Sequence, residues 1–313
     1  MHIYVSGSLA FDRIMTFPGR FSDHILPDKI HILNVCFLVD GLEERYGGCA
    51  GNIAYSLALL GERPLILAAA GKDFEPYARW LTRQGLSLEG VLRLPEEFTA
   101  GAYITTDQAD NQITGFNPAA MRTPCGYAFP DLDPAQSLAI ISPGNLDDMR
   151  NLPTFFRERG VPYIFDPGQQ TTAFSGPELA AALTGAAVLV TNDYELELIL
   201  KATGLDKAEL LGRVGALVTT LAEHGSRVTR PDRVDEIPAV PVERVADPTG
   251  AGDAYRSGLL KGLAARLDLA EACRLGSVAA AYAVEQKGTQ EHRYTPDEFR
   301  ARYQAAFGDW PLH

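Results

Sequence analysis

Hydrophobic residues along this chain fall into short runs that alternate with amphipathic stretches of helical length. Each run is rich in β-branched and aliphatic residues and is bounded by turn residues, which is typical of a buried strand. Between the runs, apolar residues recur at three- and four-residue spacing, and several stretches end at a glycine, as helices commonly do. The predicted strands are 2–7, 64–71, 138–144, 161–168, 187–192 and 215–221.

This alternation predicts an α/β fold with a central, mostly parallel sheet flanked by helices on both faces. In such sheets, ligands bind beyond the carboxyl ends of the strands. Two segments, 11–48 and 98–121, break the alternation with a loose two-residue pattern and turn signals. We predict that they form antiparallel strands of one small β-sheet lid over the edge of the core. Because the chain contains no internal repeat or linker, we predict a single domain over residues 1–313.

Composition and charge narrow the classes of function. The chain has 313 residues, of which 46% are hydrophobic and 22% charged, as in ordinary globular proteins. A formal net charge of −12 argues against a broad nucleic-acid surface, although backbone amides and a few cations can still hold a small phosphorylated ligand. No apolar run approaches the ~20 residues of a membrane helix, and no signal peptide precedes the first strand, so we expect a cytoplasmic protein. The four cysteines and six histidines are scattered, which fits a reducing compartment and disfavours a zinc site.

The stretch ADPTGAGDAYRSG, residues 246–258, contains three glycines, whose backbone is conformationally free, close to the carboxylate of Asp253. Gly250 and Gly252 stand where a helix should begin, and a glycine-rich helix start offers N–H groups and a positive dipole end to an anion. Asp253 would repel a resting phosphate, but it can accept the proton of a hydroxyl that attacks phosphorus. The alternative is an ordinary helix start with an acidic first turn. A nucleotide P-loop and a dinucleotide-binding GxGxxG are both absent.

A second glycine cluster, RYGGCAGNIAYSLALLG, precedes another predicted helix. Gly47, Gly48 and Gly51 can bring the backbone close to a polyol, with Asn52 in the first turn hydrogen-bonding a hydroxyl. The alternative is a hinge between lid and core, followed by a helix with a small packing face. Taken alone, the pattern is compatible with both.

Together with TNDYELE at 191–197, the two clusters resemble the signatures of the ribokinase-like sugar and nucleoside kinases, the phosphofructokinase-B superfamily. The clusters lie in that family's order, and Asn192 and Glu195 match its N-x-x-E motif. The resemblance implies a ribokinase-like fold with a β lid. It also implies ATP-dependent phosphorylation of a hydroxymethyl group.

Three stretches resemble one branch of that family, the bacterial adenosine kinases of the mycobacterial type. They are GSLAFDRIMTFPGRF with its continuation through the lid, ADPTGAGDAYRSG, and GTQE at 288–291. This resemblance implies a purine nucleoside kinase and favours adenosine as acceptor. A broader nucleoside kinase acting on inosine, guanosine or cytidine is the nearest alternative, because Ala102 and Cys36 stand where this branch tends to have an aromatic residue and a serine. A ribokinase- or fructokinase-like sugar kinase and an inactive binding protein on the same fold are less favoured.

The resemblance also implies roles for individual residues. Asp253 corresponds to the catalytic base, and Gly250, Ala251 and Gly252 correspond to the anion hole for the transferring γ-phosphoryl group. The implied nucleoside contacts are Asp12, Gly48 and Asn52 on the ribose, Ser8 on ribose or base, Phe116 stacked on the purine, and Gln169 near the base. Alternatives for Asp12, Phe116 and Gln169 are a turn residue, a core aromatic and a polar loop.

For the nucleotide, the resemblance implies ATP with Mg²⁺. Asn192 and Glu195 would act on the metal and the phosphates through water, while the same pair predicts a helix capping box, and both can hold together. Ala222 stands in place of the first glycine of the family's TxGxxG pattern. The implied surroundings of the nucleotide base are Thr220, Gly225 and Gly288.

A monovalent cation and a second copy of the chain are further expectations. Members of this superfamily often respond to potassium, for which Asp247 and Thr249 are candidates here. Exposed edge strands in a β lid invite pairing, so a homodimer through the lid is a hypothesis. The predicted partners are therefore a nucleoside, ATP and a second lid, with no nucleic acid and no membrane.

Overall fold

The computed structural model describes residues 1–32 and 34–312, whose strands form a central sheet of nine and a smaller sheet of four. In chain order the strands are β1 (His2–Ser6), β2 (Ala10–Thr16), β3 (Asp40–Gly47), β4 (Leu65–Gly71), β5 (Val91–Leu94), β6 (Ala100–Thr106), β7 (Gln112–Asn117), β8 (Ser137–Ile141), β9 (Tyr163–Phe165), β10 (Val188–Asn192), β11 (Leu217–Thr220), β12 (Ser226–Thr229) and β13 (Val234–Ile237). The central sheet has the order β13-β12-β11-β10-β9-β8-β1-β4-β5.

The central sheet is parallel from β11 to β5, and β12 and β13 extend it in antiparallel direction. The predicted, mostly parallel sheet is therefore confirmed. All six strands predicted from sequence are present, with bounds that differ by a few residues. Strands β5, β12 and β13 were not predicted, because they are short and β13 carries charged residues on exposed positions.

Helices cover both faces of the central sheet. They are α1 (Cys49–Leu59), α2 (Glu75–Arg83), α3 (Leu146–Glu158), α4 (Gly176–Leu183), α5 (Asp193–Thr203), α6 (Lys207–Leu211), α7 (Ala251–Ala264), α8 (Leu269–Val284) and α9 (Pro296–Phe307). Helices α1, α2, α7 and α8 pack on the face that contains Ile3 and Val5, and α3 to α6 pack on the face that contains Tyr4. Helix α9 packs outside α8. Within the described ranges, no helix has both the length and the hydrophobicity needed to cross a membrane.

The lid is the four-stranded sheet, in the order β3-β2-β6-β7. Its strands fall in the predicted segments 11–48 and 98–121, apart from the first residue of β2, so the small β lid is confirmed. The pairs β2–β3 and β6–β7 are antiparallel, as predicted, but the central pair β2–β6 is parallel. The prediction of antiparallel pairing was wrong at this junction, because alternation within a strand does not indicate how two separate pairs align.

Polar contacts connect both lid segments to the core. Nη2 of Arg13 on β2 lies 3.1 Å from Oδ2 of Asp73, and Oδ1 of the same carboxylate accepts a hydrogen bond from the N–H of Thr99 at 2.7 Å. One carboxylate just before α2 thus holds the two segments together. That residues 1–313 form one domain, with the lid inserted in the core, stays a prediction.

The carboxyl ends of the central strands open toward the lid. Residues at or just beyond the ends of β1, β8, β9 and β11 line the same cavity, namely Ser8, Pro143, Asp166 and Thr220. This placement follows from the parallel strand directions, which bring all these ends to one edge of the sheet. The fold therefore brings together side chains from most of the length of the chain.

Candidate active site

A cavity of about 1310 Å³ lies between the lid and the carboxyl ends of the central strands. Pockets for one small ligand commonly enclose roughly 300–1,000 Å³, so this cavity has room for two small molecules side by side. Its lining includes every site residue predicted from sequence except Gly288 and Asp247. Residues predicted to contact the acceptor and residues predicted to contact the nucleotide meet where α7 begins.

Helix α7 begins with a backbone arrangement suited to an anion. Gly250, its N-cap residue, has a φ of 80°, a left-handed conformation that glycine adopts without strain, and makes no side-chain cap. The N–H of Ala251 donates to the carbonyl oxygen of Pro248 at 3.2 Å, whereas no acceptor among the described residues reaches the N–H groups of Gly252 and Asp253. Gly250, Ala251 and Gly252 line the cavity. A Cβ on Gly252 would lie 2.7 Å from Nη1 of Arg256, so a larger residue here would require the Arg256 side chain to shift. An anionic group can bind at this helix start.

Asp253, in the first turn of α7, is half-buried and hydrogen-bonded to the first turn of α1. Nδ2 of Asn52 donates to Oδ2 of Asp253 at 2.8 Å, although 201 residues separate the two in the chain. Burial raises the pKa of Asp253 to about 6, against the lowering influence of the Arg256 charge and of the Asn52 hydrogen bond. Such a carboxylate is ionised at neutral pH and is a stronger base than an ordinary aspartate, as proton acceptance requires.

Arg256 lies one turn after Asp253 and pairs with Asp166, the residue that follows β9. Nη2 of Arg256 donates to Oδ1 of Asp166 at 2.7 Å, and Nε also contacts the carboxylate. Both residues are buried, with exposures of 7% and 1%. Burial alone would lower the pKa of Arg256, but the charges of Asp166, Asp253 and Glu195 raise it, so the guanidinium stays positive. The site thus contains a fixed cation among several carboxylates.

Ser8, Gly48 and Asp12 line the cavity where the lid meets the core. The hydroxyl oxygen of Ser8 accepts a hydrogen bond from the N–H of Cys49 at 3.0 Å, at the beginning of α1. Gly48 has a φ of 88°, and a Cβ there would lie 2.6 Å from the carbonyl oxygen of Ser8, so another residue would not fit. Burial raises the pKa of Asp12 on β2. These groups form a polar wall beside Asn52 that suits a ligand with several hydroxyls.

The lid contributes an apolar patch to the cavity. Phe116 on β7 pairs in register with Ala102 on β6, and both line the cavity together with Ala10 and Met121. Phe116 is 52% exposed, so it is not a core residue and its ring is available to a flat ligand. Cys36, in contrast, is exposed and does not belong to the cavity lining. Of the two departures from the adenosine kinase branch, only Ala102 therefore bears on this pocket.

The loop after β9 places two amide side chains at the cavity. Nε2 of Gln169 lies 3.9 Å from Sγ of Cys49, and Nε2 of Gln170 donates to the carbonyl oxygen of Gly144 at 3.5 Å. Both residues belong to a 3₁₀ segment, Gly168–Ala173, that begins with a positive φ at Gly168. Neither amide is strongly held by the protein, so both can adapt to a ligand.

Asn192, the N-cap of α5, and Glu195 in its first turn line the cavity. The side chain of Asn192 accepts from the N–H of Glu195 at 2.7 Å, and Oε2 of Glu195 accepts from the N–H of Asn192 at 2.9 Å, which confirms the predicted capping box. Burial raises the pKa of Glu195. No hydrogen bond from a described residue reaches the other carboxylate oxygen, so Glu195 can both cap the helix and hold a water molecule.

Thr220 and Gly225 enclose a tight turn after β11, and both line the cavity. Gly225 has a φ of 88°, and a Cβ there would lie 2.0 Å from the carbonyl oxygen of Ile237, so only glycine fits. Ala222 lies in the left-handed region with a φ of 51°. The turn therefore keeps the backbone conformation for which glycine is suited, although the sequence has alanine at this position.

Asp247, Thr249 and Gly288 form a small cluster beside the cavity. The carboxylate of Asp247 accepts hydrogen bonds from the N–H of Thr249 at 2.9 Å and from the N–H of Gly288 at 3.1 Å. Only Thr249 of the three lines the cavity. Gly288 was predicted near the nucleotide base, but its neighbour Thr289 lines the cavity while Gly288 contacts Asp247.

Three residues with close contacts at the site were not assigned from sequence, namely Asp166, Arg256 and Gln290. Arg256 lies three residues after Asp253, a spacing that places both on one face of a helix and that a charge-pattern search would have found. Asp166 lies near the carboxyl end of the predicted strand 161–168, which is a signal for a site residue in a parallel sheet. Gln290 donates to Asn52 across 238 residues, and no local pattern indicates such a contact.

Residues 20–296 match the family model of the pfkB family carbohydrate kinases. The chain therefore belongs to this family, and the resemblance stated from its glycine clusters is confirmed. A nucleoside kinase from Methanocaldococcus jannaschii is 30% identical over 269 residues, with 85% of this chain and 87% of that protein covered. A nucleoside kinase from Methanothermobacter thermautotrophicus is 31% identical over 315 residues, with coverages of 97% and 96%.

Solved structures support the same assignment. A Burkholderia thailandensis nucleoside kinase in complex with inosine has a TM-score of 0.86 at 41% identity, with 99% of this chain and 100% of that chain covered. An adenosine kinase from Sinorhizobium meliloti, at 21% identity and a TM-score of 0.73, shares the fold. The ribokinase-like fold is thus confirmed, and the protein is a phosphotransferase with a hydroxyl group as acceptor.

The left-handed turn at Ala222 generates a prediction about stability. Ala222→Gly should stabilise the folded protein by about 0.5–1 kcal/mol, because relief of the positive-φ strain exceeds the added freedom of the unfolded chain. Ala208→Gly, at an exposed position in α6, is the matched control and should destabilise by about 1 kcal/mol. Urea unfolding of the three proteins without ligand measures both changes. Equal losses in the two variants would contradict the assigned strain.

Proposed function

We propose that this protein is an ATP-dependent nucleoside kinase that phosphorylates the 5′-hydroxyl of adenosine and of other purine nucleosides. The observation that carries the proposal is the meeting of Asp253, the uncapped start of α7 and the ring of Phe116 at one cavity. The nucleoside kinases among its relatives support the acceptor class. A similar B. thailandensis enzyme in complex with ADP-inosine, at 42% identity and a TM-score of 0.84, supports ATP as donor.

The proposed reaction is a direct in-line transfer. The 5′-oxygen attacks the γ-phosphorus while its proton passes to Asp253, and the bond to the β-phosphate oxygen breaks to release ADP. N–H groups at the start of α7 stabilise the charge that spreads over the transferring group. In this proposal Asp12, Gly48, Asn52 and Ser8 hold the ribose.

Base recognition is proposed to be permissive. The lid side of the pocket is apolar around Phe116 and Ala102, and a ring stacked there reads a flat shape rather than a hydrogen-bonding pattern. Gln169 and Gln170 offer amides that can turn to donate or accept. Such groups accommodate both a 6-amino and a 6-oxo purine. Strict adenosine specificity, favoured from sequence, is the second candidate and stays a prediction.

Metal binding is part of the proposal. Among the residues that the structure describes, no group of three or more His, Cys, Asp and Glu side chains forms a metal cage. The few oxygen donors at the cavity, Glu195 and Asn192, fit Mg²⁺, because this ion keeps several waters and is held mainly by substrate phosphates. Glu195 and Asn192 would contribute through water. Mg²⁺ would neutralise phosphate charge. For potassium, Asp247 and Thr249 remain the proposed neighbours.

A homodimer through the lid and a cytoplasmic location complete the proposal. Nine of the thirteen exposed large hydrophobic side chains in the described ranges lie in the lid segments, and Leu42 and Ile113 are among those that do not line the cavity. Exposed apolar side chains concentrated in the lid support a partner surface there. The outer strands β3 and β7 also present free edges.

The acceptor class is tested by ADP release with ATP and Mg²⁺, with and without K⁺, across nucleosides and sugars. We expect adenosine and inosine to have kcat/KM values within about tenfold of each other, and ribose and fructose to be far poorer. A preference for adenosine above about 100-fold would favour the strict adenosine kinase. Ribose or fructose as the best acceptor would contradict the proposal, as would nucleoside-induced thermal stabilisation without any ADP release.

The role of Asp253 is tested by its removal and by pH. Asp253→Asn should lower kcat by about 10²–10⁴-fold, with the nucleoside Kd nearly unchanged. Because burial raises the pKa of Asp253 to about 6, kcat/KM of the native protein should fall as pH drops through this value, where protonation removes the base. A variant with near-native kcat, or activity undiminished down to pH about 4, near the pKa of a free aspartate, would contradict the assignment.

The dimer hypothesis is tested by light scattering at micromolar concentration. We expect a dimer for the native chain and a monomer for Ile113→Lys, which places a charge on the exposed face of β7. Val234→Lys, an equally exposed apolar position outside the lid, is the control and should leave the mass unchanged. A monomeric native chain would contradict the hypothesis.

A further inference from the structure

A chain of buried hydrogen bonds leads from Asp253 away from the cavity. Behind Asn52, Nε2 of Gln290 donates to Oδ1 of Asn52 at 3.0 Å and to the hydroxyl of Tyr77 at 2.5 Å. Nε1 of Trp80 donates to Oε1 of Gln290 at 2.9 Å. Asn52, Gln290 and Tyr77 have exposures of 4%, 2% and 0%. We call Trp80, Tyr77, Gln290 and Asn52 the amide relay.

The direction of each hydrogen bond in the amide relay is determined by groups that have only one role. The indole N–H of Trp80 can only donate, so Gln290 must present its carbonyl oxygen there. The Tyr77 hydroxyl donates to the backbone carbonyl oxygen of Gly47 at 2.9 Å, so it accepts from the NH₂ group of Gln290. Both partners require the same orientation of the Gln290 amide. An amide turned by 180° would lose two hydrogen bonds and would place its NH₂ group against the N–H of Trp80.

The orientation of Gln290 determines that of Asn52. Because the NH₂ group of Gln290 faces Asn52, the carbonyl oxygen of Asn52 must accept from it. The NH₂ group of Asn52 is then directed at Oδ2 of Asp253. The opposite orientation would place a carbonyl oxygen against the carboxylate. The donor that Asp253 meets is thus set by the Trp80 indole, two hydrogen bonds from Asn52, and by the Gly47 carbonyl oxygen, three hydrogen bonds from Asn52.

Packing holds the origin of the amide relay in place. The Tyr77 ring stacks on Tyr46 with a centroid distance of 4.6 Å, and the guanidinium of Arg293 lies 5.2 Å from the Trp80 ring centroid. A Cβ on Gly51 would lie 1.9 Å from the Tyr77 hydroxyl oxygen, so this glycine of the first cluster is required for the contact. Burial raises the pKa of Tyr77, so its hydroxyl keeps its proton.

We propose that Gln290 is a positioning residue that acts through Asn52, holding the Asn52 amide with its N–H groups toward the carboxylate of Asp253. This inference rests on the proposed function, in which Asp253 accepts the proton of the acceptor hydroxyl. A donor directed at the carboxylate stabilises its ionised form and orients the oxygen that takes the proton. Gln290 belongs to the GTQE stretch, whose role the reaction itself does not explain.

The test compares substitutions that reverse, weaken or spare the amide relay. Gln290→Glu keeps the size and the acceptor for Trp80 but removes the donor to Asn52 and adds a negative charge, which by itself raises the pKa of Asp253. Support for the relay therefore requires a shift in the uncharged Trp80→Phe variant as well. Trp80→Phe keeps a ring in the stack but removes the donor that orients Gln290. Tyr55→Phe is the matched control, because it removes a buried hydrogen bond, 2.7 Å to the carbonyl oxygen of His292, at the same loop but outside the relay.

For Gln290→Glu we expect the acidic limb of the kcat/KM profile to move up by about one pH unit, as Asp253 loses its donor. At pH 7 the shift should lower kcat about twofold, because the ionised fraction of Asp253 falls from about 0.9 to about 0.5, and this deficit should disappear toward pH 9. The nucleoside KM should change less than about twofold. Trp80→Phe should shift the limb in the same direction by a smaller amount. If Gln290→Glu does not fold, Trp80→Phe alone tests the positioning role of Gln290. Tyr55→Phe should leave the limb in place.

Nuclear magnetic resonance separates this inference from the proposed function. In protein labelled with ¹³C at aspartate carboxyls, the Asp253 resonance, identified by its loss in Asp253→Asn, should titrate at higher pH in the relay variants than in the native chain. This readout needs no turnover. Unchanged titration in both relay variants would overturn the positioning role even if nucleosides are phosphorylated. A shifted titration in a protein that phosphorylates no nucleoside would contradict only the proposed function.

Discussion

The hydrogen bond between Asn52 and Asp253 is the contact on which the site depends, because it joins the starts of two helices. Helix α1 begins after Gly48 and α7 after Gly250, and both glycines have positive φ. One helix start adjoins the polar wall for an acceptor, and the other offers N–H groups to an anion. Under the proposed function, their connection holds the acceptor-binding and phosphate-binding parts of the cavity at a fixed distance, which a direct transfer between two bound molecules requires.

Charge is the second constraint on the cavity. Asp166, Asp253 and Glu195 lie around one arginine, Arg256, so the region is negative before any nucleotide enters. A polyphosphate adds further negative charge, and the only compensation within the protein is Arg256 and the N–H groups of α7 in the described lining. Under the proposed function, a divalent cation that arrives with the phosphates supplies the rest. The same crowding of carboxylates, together with burial, keeps Asp253 a useful base near neutral pH.

Local signals predicted most of the fold, and the family resemblance supplied most of the residues that line the cavity. The alternation of strands and helices indicated the parallel sheet, and the Asn192–Glu195 capping box could be predicted because its partners are three residues apart. Contacts between residues far apart in the chain could not be predicted. The parallel β2–β6 junction, the Asp166–Arg256 pair and the Gln290–Asn52 bond depend on how distant segments align, which no short window contains. At Ala222 the structure keeps a left-handed turn that the sequence does not indicate, because alanine stands where the family pattern has glycine.

The central claim is that Asp253 and the start of α7 direct a phosphoryl group to the 5′-oxygen of a nucleoside. The most direct measurement is the ³¹P–¹H nuclear magnetic resonance spectrum of the product formed from ATP and adenosine or inosine. The account predicts a nucleoside 5′-monophosphate, whose phosphorus couples to the two protons on C5′. Coupling to the single proton of C2′ or C3′, or phosphorylation of free sugars only, would contradict it.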